Sequence, residues 1–284
     1  MTNTQSFPKT DLGRLVGLNI RQRVLAVLAA LRFVAMTDMV RGDADASEVD
    51  RLVTDGLVLR FLLQRRLTED RSTAVLSLTR QGSLQLAQAM DVDASTIPYS
   101  TRSTCKRSTM FLDHWLACSR FALMLARSIH VDAPARMKLL SWEREPERLA
   151  DAVHLLDGSG RLGRQPLVAD GLAVVRGERG VEGLLVEIDR GTERPAYMAM
   201  KYAGYLEWWR QGGPERRFNL VALRLLTVAP DARRRERLRA GCAEATQGHA
   251  SGLFWFASED ELLSAGLLAP VWHTTRVQDQ KLWS

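Results

Sequence analysis

The sequence has few cysteines and no long apolar run, and these absences exclude two classes of protein. Its 284 residues contain three cysteines, Cys105, Cys118 and Cys242, without a CxxC pair. An odd number of widely separated cysteines argues against a disulfide framework, so we expect a reducing compartment, the cytoplasm. No apolar run reaches the roughly 18–20 residues that a membrane-spanning helix needs, so we expect no membrane partner.

Several catalytic signatures are also missing. The chain has no GxGxxG stretch, no Walker loop and no GxSxG stretch, and its five histidines lack ligand spacing such as HxxxH. What remains is an ordinary globular composition with a net charge of +6. The excess is largest in residues 1–110, which carry 15 Lys/Arg against 11 Asp/Glu, and it is compatible with a polyanionic partner.

The first part of the chain is punctuated by helix-start signals. Residues 1–17 are polar and predict a flexible arm, after which Asn19 caps a run with apolar residues at helical spacing. Thr37 and Ser47 are cap candidates for the next two helices, and Thr54 or Asp55 for a further one over "TDGLVLRFLLQRRL".

A strand and another helix follow these helices. The strand is predicted at Ala74–Leu78, and Thr79 opens the helix "RQGSLQLAQAM". Helices followed by a hairpin-like segment predict a winged helix-turn-helix over residues 18–92. Its recognition helix is either 47–55 or 54–66.

Basic side chains cluster around the recognition helix and the wing of this predicted domain. They are predicted to contact the phosphates of double-stranded DNA: Arg60, Arg65, Arg66, Arg71 and Arg80. Two alternatives stay open, namely a solvated helix face with counter-ions and a winged helix that contacts protein.

The second part of the chain has a different character. Residues 93–108 are rich in Ser and Thr and predict a linker. Within 109–284, an apolar helix precedes two Val- and Leu-rich runs, "PLVADGLAVVRG" and "EGLLVEIDRG", which predict a hairpin. A helix with Pro195 in its first turn, a strand, a basic helix capped by Asp231 and a last strand are predicted to follow. The chain is therefore predicted to be α+β, with a small mixed sheet in the second domain.

Acidic residues stand where the strands of this hairpin meet. Glu187 and Asp189 share one face of a strand because side chains alternate, and Asp170 ends the run "PLVAD" on the preceding strand. Like charges at one sheet edge repel each other unless a positive group lies between them. A divalent cation, Mg²⁺, held by Asp170, Glu187 and Asp189 would meet this need.

The following helix adds a lysine and a tyrosine. Lys201 and Tyr205 are four residues apart and hence on one helix face. A metal held by carboxylates beside an ammonium group is suited to phosphodiester cleavage. The alternative is that Asp189 and Glu193 solvate the strand end while Lys201 is exposed. Tyr205 is either a nucleophile for covalent attachment to DNA or a packing tyrosine that hydrogen-bonds an acid.

The stretches "LTRQG", "VADGLAVV", "LLVEIDRGTE" and "KYAGYLEWW" together resemble the replication-relaxation family over roughly residues 18–275, most specifically over 168–206. The resemblance implies a winged helix joined to a PD-(D/E)xK restriction-endonuclease-like domain, akin to the restriction-nuclease-like class of conjugative relaxases. It assigns Asp170 and Glu187 to the two acid positions of the nuclease motif. It also implies a further acid in "WERE", at Glu143 or Glu145.

Two positions depart from the family's motif. The family has a lysine two residues after the second acid, where this sequence has Asp189, and Lys201 on the following helix could replace that lysine. The family usually has a proline before the first acid, where this sequence has Ala169. The resemblance therefore predicts a DNA-binding protein of a plasmid or other mobile element that acts in replication, relaxation or mobilisation, by Mg²⁺-dependent nicking, alongside other replication or mobilisation proteins. The alternative is a non-enzymatic replication accessory or transcriptional regulator with a degenerate nuclease-like domain.

Overall fold

A computed structural model describes residues 18–42, 44–63, 73–103, 109–133, 136–144, 146–156 and 162–283. Contacts between residues divide the chain into two compact units, Met1–Arg127 and Ser128–Ser284. Both units combine helices with β-sheet, which confirms the predicted α+β class. Within the described ranges, no helix is both long and apolar enough to cross a membrane.

The first unit contains a small antiparallel sheet surrounded by helices. Its helices are α1 (Ile20–Leu31), α2 (Met36–Gly42), α3 (Ala46–Thr54), α4 (Arg80–Met90) and α5 (Thr109–Arg127), and its strands are β1 (Val34–Ala35), β2 (Val58–Leu63) and β3 (Thr73–Leu78). The strand order is β1-β3-β2. Helix α5 contacts α2 and β1, and the Arg120 guanidinium lies 3.1 Å from the Asp38 carboxylate. The domain bounds proposed from the sequence stay a prediction.

Two of the helix starts in this unit follow from local sequence signals. The Asn19 side chain accepts from the Gln22 amide at 2.9 Å, and the Gln22 side chain accepts from the Asn19 amide at 3.1 Å. This reciprocal capping box fixes the start of α1 at the predicted place. The Thr79 hydroxyl accepts from the Gly82 amide at 3.0 Å, which confirms the predicted cap of α4.

Two other predicted caps were wrong. Helix α3 is capped by Asp45, whose carboxylate accepts from the Ser47 amide at 3.2 Å, so Ser47 lies inside the helix. Helix α2 begins at Met36 and Thr37 lies within it. Asp and Ser are both good caps, and the earlier of two neighbouring caps can start the helix first.

The helix predicted over 54–66 was wrong as well, because residues 58–63 form strand β2. Gly56, with a φ of 72°, turns the chain after α3. Val58 and Leu63 are buried while Leu62 is 63% exposed, and a short run of this kind does not distinguish strand from helix by periodicity. Of the two recognition-helix candidates, α3 is therefore the one that is a helix.

The second unit contains a six-stranded mixed sheet, a separate hairpin and several helices. Its strands are β4 (Lys138–Glu143), β5 (Asp151–Leu156), β6 (Leu162–Leu167), β7 (Gly171–Gly177), β8 (Gly180–Ile188), β9 (Ala222–Ala229), β10 (Phe254–Ser258) and β11 (His273–Thr274). Its helices are α6 (Pro146–Leu149), α7 (Pro195–Arg210), α8 (Gly213–Phe218), α9 (Ala232–Ala245) and α10 (Glu259–Ala265), and a π-helical turn covers Ser128–Asp132.

The large sheet has the order β11-β10-β9-β8-β7-β4. Strands β8, β9 and β10 are mutually parallel, and the remaining pairs are antiparallel. The parallel pairs need crossover connections, which α7 and α9 provide. As a result, the carboxyl ends of β8, β9 and β10 meet at one edge of the sheet, the edge at which open α/β sheets bind ligands.

Helix α7 packs across the face of the parallel strands. The Tyr202 ring lies 5.8 Å from the Phe254 ring and 5.6 Å from the Phe256 ring, both on β10. Its hydroxyl is 3.3 Å from the Thr227 hydroxyl on β9. Pro195 occupies the first turn of α7, as predicted. This packing fixes the side of α7 that faces the sheet, and that side carries Lys201 and Tyr205.

One predicted strand is divided in the structure. The run "PLVADGLAVVRG" contributes to β6, which pairs with β5, and to β7, which pairs with β8, with residues 168–170 between the two strands. Asp170 therefore lies in the connection that enters β7, rather than at the end of a strand. A Cβ atom at position 171 would lie 2.5 Å from the Trp142 ring, so only glycine fits at this position against the indole.

Candidate functional site

The β7–β8 hairpin brings Asp170 and Glu187 to the same sheet edge. Its register pairs Gly171 with Val186, so the residue before β7 lies beside the end of β8. The Asp170 amide donates to the Val186 carbonyl at 2.9 Å, and the Asp170 carboxylate accepts from the Ile188 amide at 2.8 Å. Backbone hydrogen bonds therefore hold Asp170 from both sides.

Glu187 is buried and its carboxylate is held by two side chains of α7. Lys201 Nζ donates to Oε2 at 2.6 Å, and the Tyr205 hydroxyl donates to Oε1 at 2.5 Å. Glu187 is 3% exposed, Tyr205 3% and Lys201 9%. The spacing of four residues on α7 places both donors on one helix face, as the sequence indicates. Lys201 therefore contacts Glu187 and is not exposed.

Burial and charge shift the proton affinities of this cluster. Burial raises the pKa of Glu187 to about 7, with the Asp170 charge adding to the effect and Lys201 opposing it. Burial disfavours the Lys201 ammonium, but Glu187 and Asp170 outweigh it and raise the pKa of Lys201. Burial and the Glu187 charge raise the pKa of Tyr205 well above its ordinary value. Tyr205 therefore stays protonated, and its hydroxyl donates a hydrogen bond to the Glu187 carboxylate.

Asp189 belongs to a second ion pair. Arg234, at the start of α9, donates to its two carboxylate oxygens at 2.7 and 3.1 Å, and also to the Glu193 carbonyl at 2.7 Å. The Asp189 side chain is 0% exposed. Arg234 thus joins α9 to the connection between β8 and α7. The structure engages Asp189 with this guanidinium, whereas Asp170 lies beside Glu187.

Glu143 lies on the neighbouring strand. In the β4–β7 pairing it faces Leu172, two residues after Asp170. Its carboxylate accepts from the Arg144 amide at 2.9 Å and from Arg148 at 3.1 Å. Glu143 is therefore at the same end of the sheet as the acids, in an ion pair of its own. Glu145, the other acid proposed from "WERE", lies outside the described residues.

The predicted DNA-binding arginines belong to the first unit. Arg60, on β2, pairs with Asp50 of α3. Arg80 is the first residue of α4 and is exposed. The other three, Arg65, Arg66 and Arg71, lie outside the described residues. Of the two arginines in the described part of the chain, Arg60 already has an acidic partner, Asp50, whereas Arg80 is exposed to solvent.

Sequence reasoning missed Arg234 as a partner of the site. The sequence correctly indicated a basic helix capped by Asp231, whose carboxylate accepts from the Arg234 amide at 2.7 Å. Four arginines fall in that helix's first six residues. Which of them reaches Asp189 depends on the crossover that brings α9 beside the end of β8, and no local spacing reports that.

Comparison with known proteins yields one match. The family model described as replication-relaxation matches residues 27–223, which include the hairpin acids, Lys201 and Tyr205. No curated protein and no solved structure matches the chain.

Proposed function

Because the chain belongs to the replication-relaxation family, we propose that it binds and nicks DNA in the replication, relaxation or mobilisation of a plasmid or other mobile element. The first unit binds duplex DNA, and the second unit cleaves one strand. The observation that carries the cleavage proposal is the buried Glu187–Lys201 pair at 2.6 Å, beside an Asp170 whose charge raises the pKa of Glu187.

The arrangement of elements supports both halves of this proposal. In the first unit, α1, α2 and α3 precede the β2–β3 hairpin, the order that a winged helix-turn-helix has. In the second unit, the acids lie on an antiparallel hairpin within a mixed sheet, as expected for a nuclease-like α/β domain.

The donor set at the strand ends fits a divalent cation at two of its three predicted ligands. Hard cations such as Mg²⁺ prefer carboxylate oxygens, and a positive ion would relieve the repulsion that Asp170 exerts on Glu187. Asp189 is the poorest of the three ligands, because the Arg234 guanidinium already neutralises both of its oxygens. Glu187 would bind the cation through the lone pairs that its hydrogen bonds from Lys201 and Tyr205 leave available. Mg²⁺ held by Asp170 and Glu187 would polarise a phosphoryl oxygen and lower the pKa of a bound water.

The chain's own residues supply the remaining functions. Lys201 lowers the pKa of Glu187 against the effect of burial, and its own raised pKa keeps the ammonium charged where negative charge develops on the scissile phosphate. Tyr205 fixes the orientation of the Glu187 carboxylate through its short hydrogen bond. Lys201 thus serves in place of the lysine that the family's motif has at the position of Asp189.

Duplex binding by the first unit rests on its arginines. Arg80 is exposed at the start of α4, which supports its assignment to a phosphate contact. Arg60 reaches DNA only by leaving Asp50, which lies on α3. We therefore assign phosphate contacts first to Arg80 and to the arginines of the connection between β2 and β3.

Nicking of the supercoiled cognate plasmid with Mg²⁺ tests the cleavage proposal. Wild type nicks, and Asp170→Ala, Glu187→Gln and Lys201→Met each lose about 100-fold or more in rate. Glu182→Gln is the matched control, because Glu182 lies on the same strand and pairs with Arg224 at 3.2 Å, about 17 Å from Glu187 along β8. A wild type that never nicks, or a Glu182→Gln loss as large as the others, contradicts the proposal.

A non-enzymatic role is the second candidate, and one observation favours it. Both oxygens of Glu187 already accept from protein donors, at 2.6 and 2.5 Å, as they would in a purely structural cluster. The chain would then be a DNA-binding replication accessory or regulator with a degenerate nuclease-like domain. This candidate predicts cognate DNA binding without nicking by the wild type, and unchanged DNA affinity in Asp170→Ala.

A further inference from the structure

The first turn of α7 presents an exposed aromatic ring on the stripe that carries Lys201. Arg194, Tyr197, Lys201 and Tyr205 follow one another at intervals of three, four and four residues, which places them along one side of the helix. Exposure falls along this stripe, from Tyr197 at 44% to Lys201 at 9% and Tyr205 at 3%. The stripe therefore leads from solvent into the buried cluster.

Helix spacing places this turn next to the site, because Tyr197 lies one turn before Lys201 on α7. Burial and Glu187 raise the pKa of Tyr205, and Tyr197 adds to the rise, so the two tyrosines are close enough to interact. Glu193 is one of the acids that offset burial and raise the pKa of Lys201. The residues that precede and open α7 therefore lie beside the Glu187–Lys201 pair, at the exposed end of the stripe.

The backbone of this turn is anchored. Arg234 donates to the Glu193 carbonyl at 2.7 Å, and the Arg194 carbonyl accepts from the Tyr197 amide at 3.0 Å. Tyr197 is thus an exposed side chain on a fixed backbone, an arrangement that costs little ordering when a ligand binds.

We propose that Arg194 and Tyr197 form a nucleotide subsite on the exposed turn beside the Glu187–Lys201 pair. The Tyr197 ring stacks on an unpaired base that flanks the scissile bond, and the exposed Arg194 guanidinium contacts the phosphate of that nucleotide. The subsite rests on the proposed function, since it serves the same cleavage site.

The chemistry of this surface favours a nucleic-acid strand as its occupant. Aromatic rings stack on any base regardless of its identity, and an arginine nearby complements the phosphate charge. Met200, 55% exposed one turn after Tyr197, extends the apolar surface next to the ring. A base inside a duplex is stacked on both faces, so the ring can engage only a nucleotide that is unpaired.

Binding of a labelled single strand by the full chain tests the subsite. The probe is a mixed-sequence DNA strand of about 12 nucleotides, followed by fluorescence anisotropy with EDTA present so that no cleavage occurs. Tyr197→Ala is expected to weaken single-strand binding by about 5- to 150-fold, and Tyr197→Phe is expected to bind as wild type does. Wild type and Tyr197→Ala are expected to bind a duplex of the same sequence with equal affinity.

Trp209→Ala is the matched control, because Trp209 is an aromatic residue of similar exposure, 41%, at the other end of α7. Its affinity for the single strand is expected to equal that of wild type. The subsite is rejected if Tyr197→Ala leaves single-strand binding unchanged, if Trp209→Ala weakens it equally, or if the duplex loses as much affinity. Plasmid nicking by the wild type is measured separately. Failure of the single-strand binding test while the plasmid is nicked rejects the subsite alone, and absence of nicking rejects the proposed function.

Discussion

Replacing Lys201 with methionine removes the positive charge from the buried cluster and keeps most of the side-chain volume. In the wild type, burial already raises the pKa of Glu187 to about 7 despite the attraction of Lys201. Without the lysine, the same carboxylate is buried with the Asp170 charge nearby, so its pKa rises further. The variant is therefore expected to be destabilised in a manner that depends on pH.

The sign follows from proton linkage. A carboxyl whose folded pKa exceeds its unfolded value of 4.5 binds the proton more tightly when folded, so stability is lost as pH rises from 4.5 to the folded pKa. In the wild type this loss, about 3 kcal/mol, ends near pH 7. In Lys201→Met it continues to higher pH. Glu187 is protonated in both proteins at about pH 5, and above pH 7 only the variant continues to lose stability, by about 1.4 kcal/mol per pH unit. The deficit of the variant relative to wild type is therefore expected to be larger by up to about 2 kcal/mol at about pH 8.5 than at about pH 5.

Urea unfolding followed by tryptophan fluorescence measures the difference. Six of the seven tryptophans lie in the second unit, so the signal reports mainly on the unit that carries the change. Lys138→Met, an exposed lysine at the start of β4, is the control and is expected to match wild type at both pH values. An equal loss of stability at the two pH values, or no loss at the higher one, would refute the linkage between Lys201 and Glu187.

Two further predictions concern ion pairs and DNA contacts. Asp189→Ala and Arg234→Ala are each expected to lower the free energy of unfolding by about 3 kcal/mol, because either change leaves a charge without its partner. The double variant is expected to lose less than the sum of the two, and additive losses in a double-mutant cycle would contradict this. Arg80→Ala is expected to reduce the salt dependence of duplex affinity by about one counter-ion, and Arg60→Ala by less because Asp50 already neutralises that charge; an equal change in both slopes would show that the pairing with Asp50 does not matter.

Local signals predicted three of the helix caps and the β7–β8 hairpin. Asn19, Thr79 and Asp231 cap helices because their side chains accept from amides two or three residues later, a rule that depends only on neighbouring sequence. The pairing of Asp170 with the end of β8 also follows from a short turn and strand alternation. Both depend on residues that are close in the chain.

Strand β2 was missed for the opposite reason. The run from Val58 to Leu63 has enough apolar residues for either structure, and its pairing with β3 across the intervening connection decides the outcome. Periodicity within one short segment does not contain that information.

The site itself was predictable in part. The spacing of Lys201 and Tyr205 on one helix face placed both near the acids, provided that α7 crosses the sheet as it does. The engagement of Asp189 by Arg234 was not predictable, because it requires the second crossover as well. Each further crossover between an acid and its partner makes the pairing harder to infer from sequence.

The acids and the cations of the cluster are made at different times during synthesis. Lys201 comes 14 residues after Glu187, and Arg234 comes 45 residues after Asp189. A nascent chain that ends within α7 carries the acidic hairpin while α9 does not yet exist. Because synthesis proceeds from the N-terminus at about 5–20 residues per second, the hairpin waits a few seconds for its last counter-charge. Full pairing of the buried acids is therefore deferred until α9 has been made.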